Sequence, residues 1–187
     1  NEWNCQSIDP DIYIENGQAY LLWGQGRCWI VPLQKDMVSF AAPPVCLSDQ
    51  LYLQAGRDPQ HIDIEFFNEG THLQKVGERY LLTWTNYDFR DIRYQVRYAW
   101  ADTIFGPYTA PENNVIIEPG DDVVGTGHAS MVEHEGRYYL FYHRMAGQLR
   151  DGSQREVCCH ELLFENGEPQ KNVPLSMSAR QTLLSVL

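Results

Sequence analysis

The sequence predicts an all-β chain, a β-propeller of four-stranded antiparallel blades of which about three are present. Three observations point there. Short β-rich runs bounded by Gly, Pro or Asn-Gly turn signals fill the chain. No stretch of ten residues carries a convincing helical period. A glycine turn leading into a Tyr-, Leu- and Trp-rich run recurs at Gly17, Gly77 and Gly136, at spacings of 60 and 59 residues. A period of that size in strand-only sequence indicates repeated sheets rather than stacked helices, and repeated four-stranded sheets pack face to face around a channel.

The elements follow in order. The first unit reads as "DIYIE", "AYLLWG", "RCWIVPL" and "PVCLS"; the second as "THLQKV", "RYLLTW" and "YQVRYAWA"; the third as "SMVEH", "RYYLFYH" and "REVCCHELLF". Residues 166–187 leave room only for a hairpin end and a tail. Propellers close with about four to eight blades. Three units therefore predict a single partial domain over residues 1–187, the later part of a larger ring whose opening blade is missing, and Asn1 in place of Met agrees with that expectation.

Composition narrows the partners. At 187 residues and 43% hydrophobic content the chain can bury a real core. A formal net charge of -11 argues against a nucleic-acid backbone or an anionic membrane as partner, since both attract clustered Lys and Arg. No apolar run approaches the roughly 18 residues of a membrane span, and "NEWNCQSI" does not resemble a leader peptide. A neutral or cationic ligand fits this balance. Five cysteines, an odd set without a Cys-x-x-Cys pair, indicate neither a disulfide framework nor a zinc site. Cys158 and Cys159, consecutive on a strand, point to opposite faces.

Eight residues before each turn glycine stand Asp9, Glu69 and His128. In a propeller the first strand of each blade lines the channel, so these three side chains are expected to converge near the axis. A packing role would call for apolar residues, because burying unpaired charge costs several kcal/mol. Two carboxyl groups facing one pocket in a protein with a neutral ligand suit glycoside hydrolysis, where an acid protonates the leaving oxygen and a carboxylate opposite activates water or attacks the sugar. Burial and a neighbouring negative charge raise the acid's pKa. Glu69 is the best candidate for that acid, with Asp9 either the base or the residue that tunes and orients it.

The series "IDPDIYIENGQAYLLWG", "NEGTHLQKVGERYLLTW", "GTGHASMVEHEGRYYLFYHR" and "REVCCHELLF", from Ser7 to about Pro174, resembles the second through last blades of a glycoside hydrolase of family 43. It is similar to the arabinofuranosidase, xylosidase and galactofuranosidase-like branch. The resemblance implies a five-bladed ring and a general acid at Glu69 in "NEG". It implies that Asp9 in "IDP" raises that acid's pKa and orients it. It further implies a sugar-contacting His128 in "GTGH" near the channel centre, beside a water-coordinated calcium ion, and an Arg155 in "QREVC" that binds sugar hydroxyls. The family inverts anomeric configuration with an aspartate base in the first blade, so this chain is expected to lack a complete catalytic set. The substrates implied are plant cell-wall polysaccharides or oligosaccharides with α-L-arabinofuranosyl or β-D-xylosyl linkages. No cofactor is required for the chemistry, and such substrates favour an extracellular or periplasmic location. The alternative is a non-catalytic propeller piece that binds carbohydrate or acts as scaffold.

Other residues carry weaker expectations. Trp23, Trp84 and Tyr142 close the second strand of their units, where an aromatic is more often inter-blade packing than a sugar platform; Trp84 is the candidate platform. His61, His72 and His143 lack metal-ligand spacing. Arg90 and Arg93 in "DFRDIRYQVR" could stand at the pocket rim, and Asp121 and Asp122 in "GDDVVGTGH" suit an ordinary turn or a cation.

Overall fold

The computed structural model describes residues 5–120 and 123–172. Its first sheet, in the order β1-β2-β3-β4, is antiparallel and comprises β1 (Asp11–Glu15), β2 (Gln18–Trp23), β3 (Trp29–Pro32) and β4 (Val45–Cys46). A second four-stranded antiparallel sheet follows with β5 (Glu69–Val76), β6 (Arg79–Asn86), β7 (Gln95–Ala101) and β8 (Val115–Ile117). The third sheet pairs β9 (Gly127–His134), β10 (Arg137–Met145) and β11 (Arg155–Leu162). A short hairpin of β12 (Phe164–Glu165) and β13 (Glu168–Pro169) ends the described chain.

One expectation is corrected here. "PVCLS" runs as strand only through Cys46, and Leu47–Gln54 forms one helix, α1. Leu47 and Leu51, one turn apart, are buried together, and Asp49 sits in the first turn where it complements the helix dipole. Eight residues are too few for a helical period to stand out in sequence. The third sheet has three strands among the described residues, because the chain leaves it after Leu162 and turns back. Tyr98 Oη and Trp100 Nε1 then both donate to Glu168, at 3.0 and 2.8 Å, which ties the returning segment to the second sheet.

Alternation along the strands decides where the cores lie. Leu82 and Trp84 point from the second sheet into a cluster with Leu22 and Ile30 of the first sheet and Leu47 and Leu51 of α1. Leu81, one residue before Leu82, points the other way, to Met131, Leu140 and Cys158 of the third. The middle sheet is therefore covered on both faces, and every residue of β6 from Tyr80 to Asn86 is buried. In β9, by contrast, Gly127, Ala129 and Met131 are buried while His128, Ser130 and Val132 are exposed. The first seam carries polar ties as well. Lys75 Nζ and Tyr80 Oη donate to Glu15 at 2.8 and 2.6 Å, and His72 Nδ1 stands 3.0 Å from Asp11 Oδ2.

Candidate active site

The innermost strands β1, β5 and β9 start at the same end of the sheets, and their starts are irregular in a shared way. Between Glu69 and His72, β5 carries one more residue than β6 opposite it, and β9 does the same opposite Phe141–His143. Such bulges re-aim side chains and tolerate left-handed backbone. Asp9 (φ 55°), Gly70 (φ 63°) and His128 (φ 52°) are all left-handed. Each precedes the first central residue of its hairpin turn, Asn16, Gly77 or Glu135, by seven positions. The structural equivalents are thus Asp9, Gly70 and His128, with Glu69 one residue earlier. Counting from the turn glycines put Glu69 in that set because Gly77 comes first in its turn, whereas Gly17 and Gly136 come second.

The offset shapes the site. A side chain at position 70 would place Cβ 3.0 Å from His128 Cα and 3.1 Å from its Cγ, so glycine there lets the third sheet approach the peptide beside Glu69. The Gly70 N–H donates to Asp9 Oδ2 at 3.1 Å, and His128 Nδ1 lies 4.0 Å from the same oxygen. Asp9 therefore grips the backbone immediately beside Glu69. His128 is held in turn, its N–H donating to Thr85 Oγ1 at 2.8 Å.

Glu69 is 6% exposed, and both carboxyl oxygens are engaged: Tyr94 Oη donates to Oε1 at 2.8 Å and Gln25 Nε2 to Oε2 at 2.8 Å. Burial is the main reason its pKa rises above the usual carboxylate range. The Tyr94 hydrogen bond opposes that rise, Asp9 and Asp88 add to it, and His128 pulls against it. Tyr94 is a fixed donor. Burial, with Glu69 beside it, pushes its phenol far above the usual tyrosine range, and its ring stacks on His143 at 5.5 Å and 18°. A Cβ on Gly127 would fall 2.2 Å from Tyr94 Cε1, so glycine at 127 makes room for the ring. His143 is held neutral near and above pH 6, its pKa depressed to about 4 by burial and then by Arg155 and His128. Both its nitrogens are without a hydrogen-bond partner.

Asp9, Glu69 and His128 are thus brought together, whereas other expected positions lie elsewhere. Arg155, at the start of β11, is exposed and sits over Phe89 at 5.2 Å, close enough to His143 to affect its titration. Trp84 is fully enclosed: it stacks on Phe67 at 5.5 Å and donates from Nε1 to Phe66 O at 3.0 Å. With no face open to a ligand, it is inter-blade packing and not a sugar platform. Trp23 and Tyr142 are buried likewise, against Phe40 and His160. Arg90 and Arg93 are exposed and bonded to Asp88 and Asp91. Asp121 and Asp122 lie outside the described residues. Sequence reasoning missed Tyr94 and Gln25, which reach Glu69 from the start of a third strand and from a loop, without any local pattern to mark them.

Among the described residues no three His, Cys, Asp or Glu side chains stand together as a metal site. Calcium takes six to eight oxygen ligands, and the imidazoles of His128 and His143 do not fit it as direct ligands.

A buried carboxyl group, its pKa raised by burial, beside a second carboxyl at the strand mouths of successive four-stranded sheets defines the class: a propeller with a carboxyl-lined site. The chain belongs to the glycosyl hydrolases of family 43, whose family model matches residues 1–169. It is 33% identical over 168 residues to a β-xylosidase of Xylanibacter ruminicola, a match covering 73% of this chain and 49% of that protein. It is 27% identical over 172 residues to a β-D-galactofuranosidase of Aspergillus niger, covering 89% of this chain and 46% of that one. The chain thus spans about half the length of these relatives. A thermostable family-43 glycoside hydrolase of known structure superposes with a TM-score of 0.75 at 21% identity, covering 89% of this chain and 58% of that one. At that identity the likeness speaks for the fold, and it places the three sheets among five-bladed propellers.

Proposed function

We propose that this chain supplies the general acid and the acid-tuning aspartate of an inverting glycoside hydrolase. Its substrates would be α-L-arabinofuranosyl or β-D-xylosyl linkages in plant cell-wall polysaccharides or oligosaccharides. The observation that carries the reading is Glu69 itself: a carboxyl group enclosed by Tyr94 and Gln25, its pKa raised by burial, with Asp9 fastened to the adjacent peptide. Such a group donates its proton to the leaving oxygen as the glycosidic bond breaks. Inversion needs a second carboxylate about 6.5–9.5 Å away, with room for the attacking water. That base is assigned to a blade this chain does not contain. The ring-complete protein, this chain joined to the blades that close its ring, is accordingly the active species. His128 and Arg155 are assigned to sugar hydroxyls, His128 from the channel and Arg155 from its rim. The chemistry needs no cofactor, and calcium enters no step. The partner is a neutral carbohydrate, in keeping with the acidic surface. Among the described residues no helix is long and apolar enough to cross a membrane.

Glu69→Gln in the ring-complete protein tests the acid. Hydrolysis of unactivated xylosides and arabinofuranosides is expected to fall about 10²–10⁴-fold with the circular dichroism spectrum unchanged. Turnover within a few-fold of the parent removes Glu69 from this role. A parent protein that binds oligosaccharides without cleaving them would be a carbohydrate-binding propeller instead.

A further inference from the structure

We propose that the cleft between the β2–β3 loop and the segment leading into β5 is the leaving-group subsite, and that it accepts a neutral sugar ring. The inference rests on the acid role of Glu69 and adds the direction in which the substrate runs. Tyr94 caps Oε1 from the buried side, whereas Oε2 is bonded to the side-chain amide of Gln25, a residue of the cleft wall. A general acid must stand within hydrogen-bond reach of the oxygen it protonates. That oxygen therefore takes or shares the place of the Gln25 amide, and the departing sugar extends beyond it. Glutamine suits the position, because its amide donates to the carboxylate after proton transfer and, turned over, accepts from the carboxylic acid before it.

The cleft beyond has the size and chemistry of such a site. Its volume of about 500 Å³ lies within the range of small-ligand clefts, roughly 300–1,000 Å³. Ile62 and Ile64, 39% and 45% exposed, offer an apolar ledge for the C–H face of a ring, with Gln6 and Gln25 also in the wall. Asp88 is the one carboxylate among its lining residues, and Arg90 neutralises it through contacts of 2.6 and 3.0 Å. The wall thus makes no demand for a cation. The floor is fixed before any ligand arrives: Gly24 N–H donates to Ile8 O at 2.9 Å, Gln25 N–H to Gln6 O at 3.0 Å, and Gly26 N–H to Asn68 O at 2.6 Å. The last bond joins the cleft directly to the peptide that precedes the acid.

The test is Ile64→Trp in the ring-complete protein, assayed on two substrates that share a glycone. One is an unactivated oligosaccharide, whose leaving group must occupy the cleft. The other is the glycosyl fluoride, whose leaving group is a single atom that departs without needing a full proton. The oligosaccharide is expected to lose at least about tenfold in kcat/KM, with the fluoride changed by less than about twofold. The milder Ile64→Ser should move the ratio in the same direction. Equal losses on both substrates, or no loss on either, overturn the subsite. Failure of the acid assignment reads differently: Glu69→Gln would then leave oligosaccharide turnover intact, whatever Ile64 does.

Discussion

Glu69 shows how a single side chain is tuned by neighbours that sequence does not announce. Its own position could be read from "NEG" and Asp9 from "IDP", because both belong to recurring strand starts. Tyr94 and Gln25 could not, since they lie 25 and 44 residues away and meet the carboxyl group only after the sheets have packed. Their effects are nonetheless separable. The Tyr94 hydrogen bond favours the charged form and holds the Glu69 pKa down against burial. Tyr94→Phe removes that restraint, so the pKa of Glu69 rises further. In the proposed role Glu69 works only while protonated, so activity is expected to be lost as pH rises through its pKa. The alkaline limb of the kcat/KM profile should therefore move to higher pH, while kcat at the optimum falls by up to about 10²-fold as the carboxyl loses its orientation. A profile displaced to lower pH, or not displaced, would mean that the hydroxyl does not restrain the acid.

At the level of elements, alternation and turn glycines made most strands legible, and the departures are places where the ladder is deliberately imperfect. The bulges in β5 and β9 leave no mark in hydrophobic pattern, because each inserts only one residue, yet they decide that Gly70 rather than Glu69 faces Asp9 and His128. Helix α1 escaped notice for a related reason: its two core leucines are a pattern too short to outweigh the β-rich run ahead of it. Gly127 links β9 to Glu69 through Tyr94. An alanine there would set Cβ 2.2 Å from Tyr94 Cε1 and 2.5 Å from Thr85 Cγ2, inside a packed seam. Gly127→Ala is expected to cost about 1–3 kcal/mol, seen as a melting-temperature drop of about 2–4 °C per kcal/mol. Activity should fall with it, because Tyr94 must move off Glu69. A variant as stable as the parent would show that the seam yields at no cost.

For the molecule as a whole, the repeat made the arc legible, and burial now shows which of its sheets is interior. The middle sheet is covered on both faces, while the far face of the third sheet bears Val132, Phe141 and Val157 at 49%, 38% and 78% exposure. Phe141 pairs with Ser130 and Cys159, and His143 with Val157, so these side chains share one face of adjacent strands. Exposed apolar side chains on a sheet face are what a blade presents to its neighbour, and Leu81 and Leu140 play that part at the covered seam. If ring closure covers the third sheet, a charge at position 157 must be buried there at a cost of several kcal/mol. Leu53 provides the comparison: it is 66% exposed on α1 and belongs to no inter-sheet cluster. In the ring-complete protein Val157→Lys should lower the melting temperature by several degrees, and Leu53→Lys should stay within about 0.5 kcal/mol of the parent, as exposed substitutions do. Equal, small effects would mean that no blade rests on this face, and the base proposed to act with Glu69 would then have to approach from the open side of β1, where Ile12 and Ile14 stand exposed.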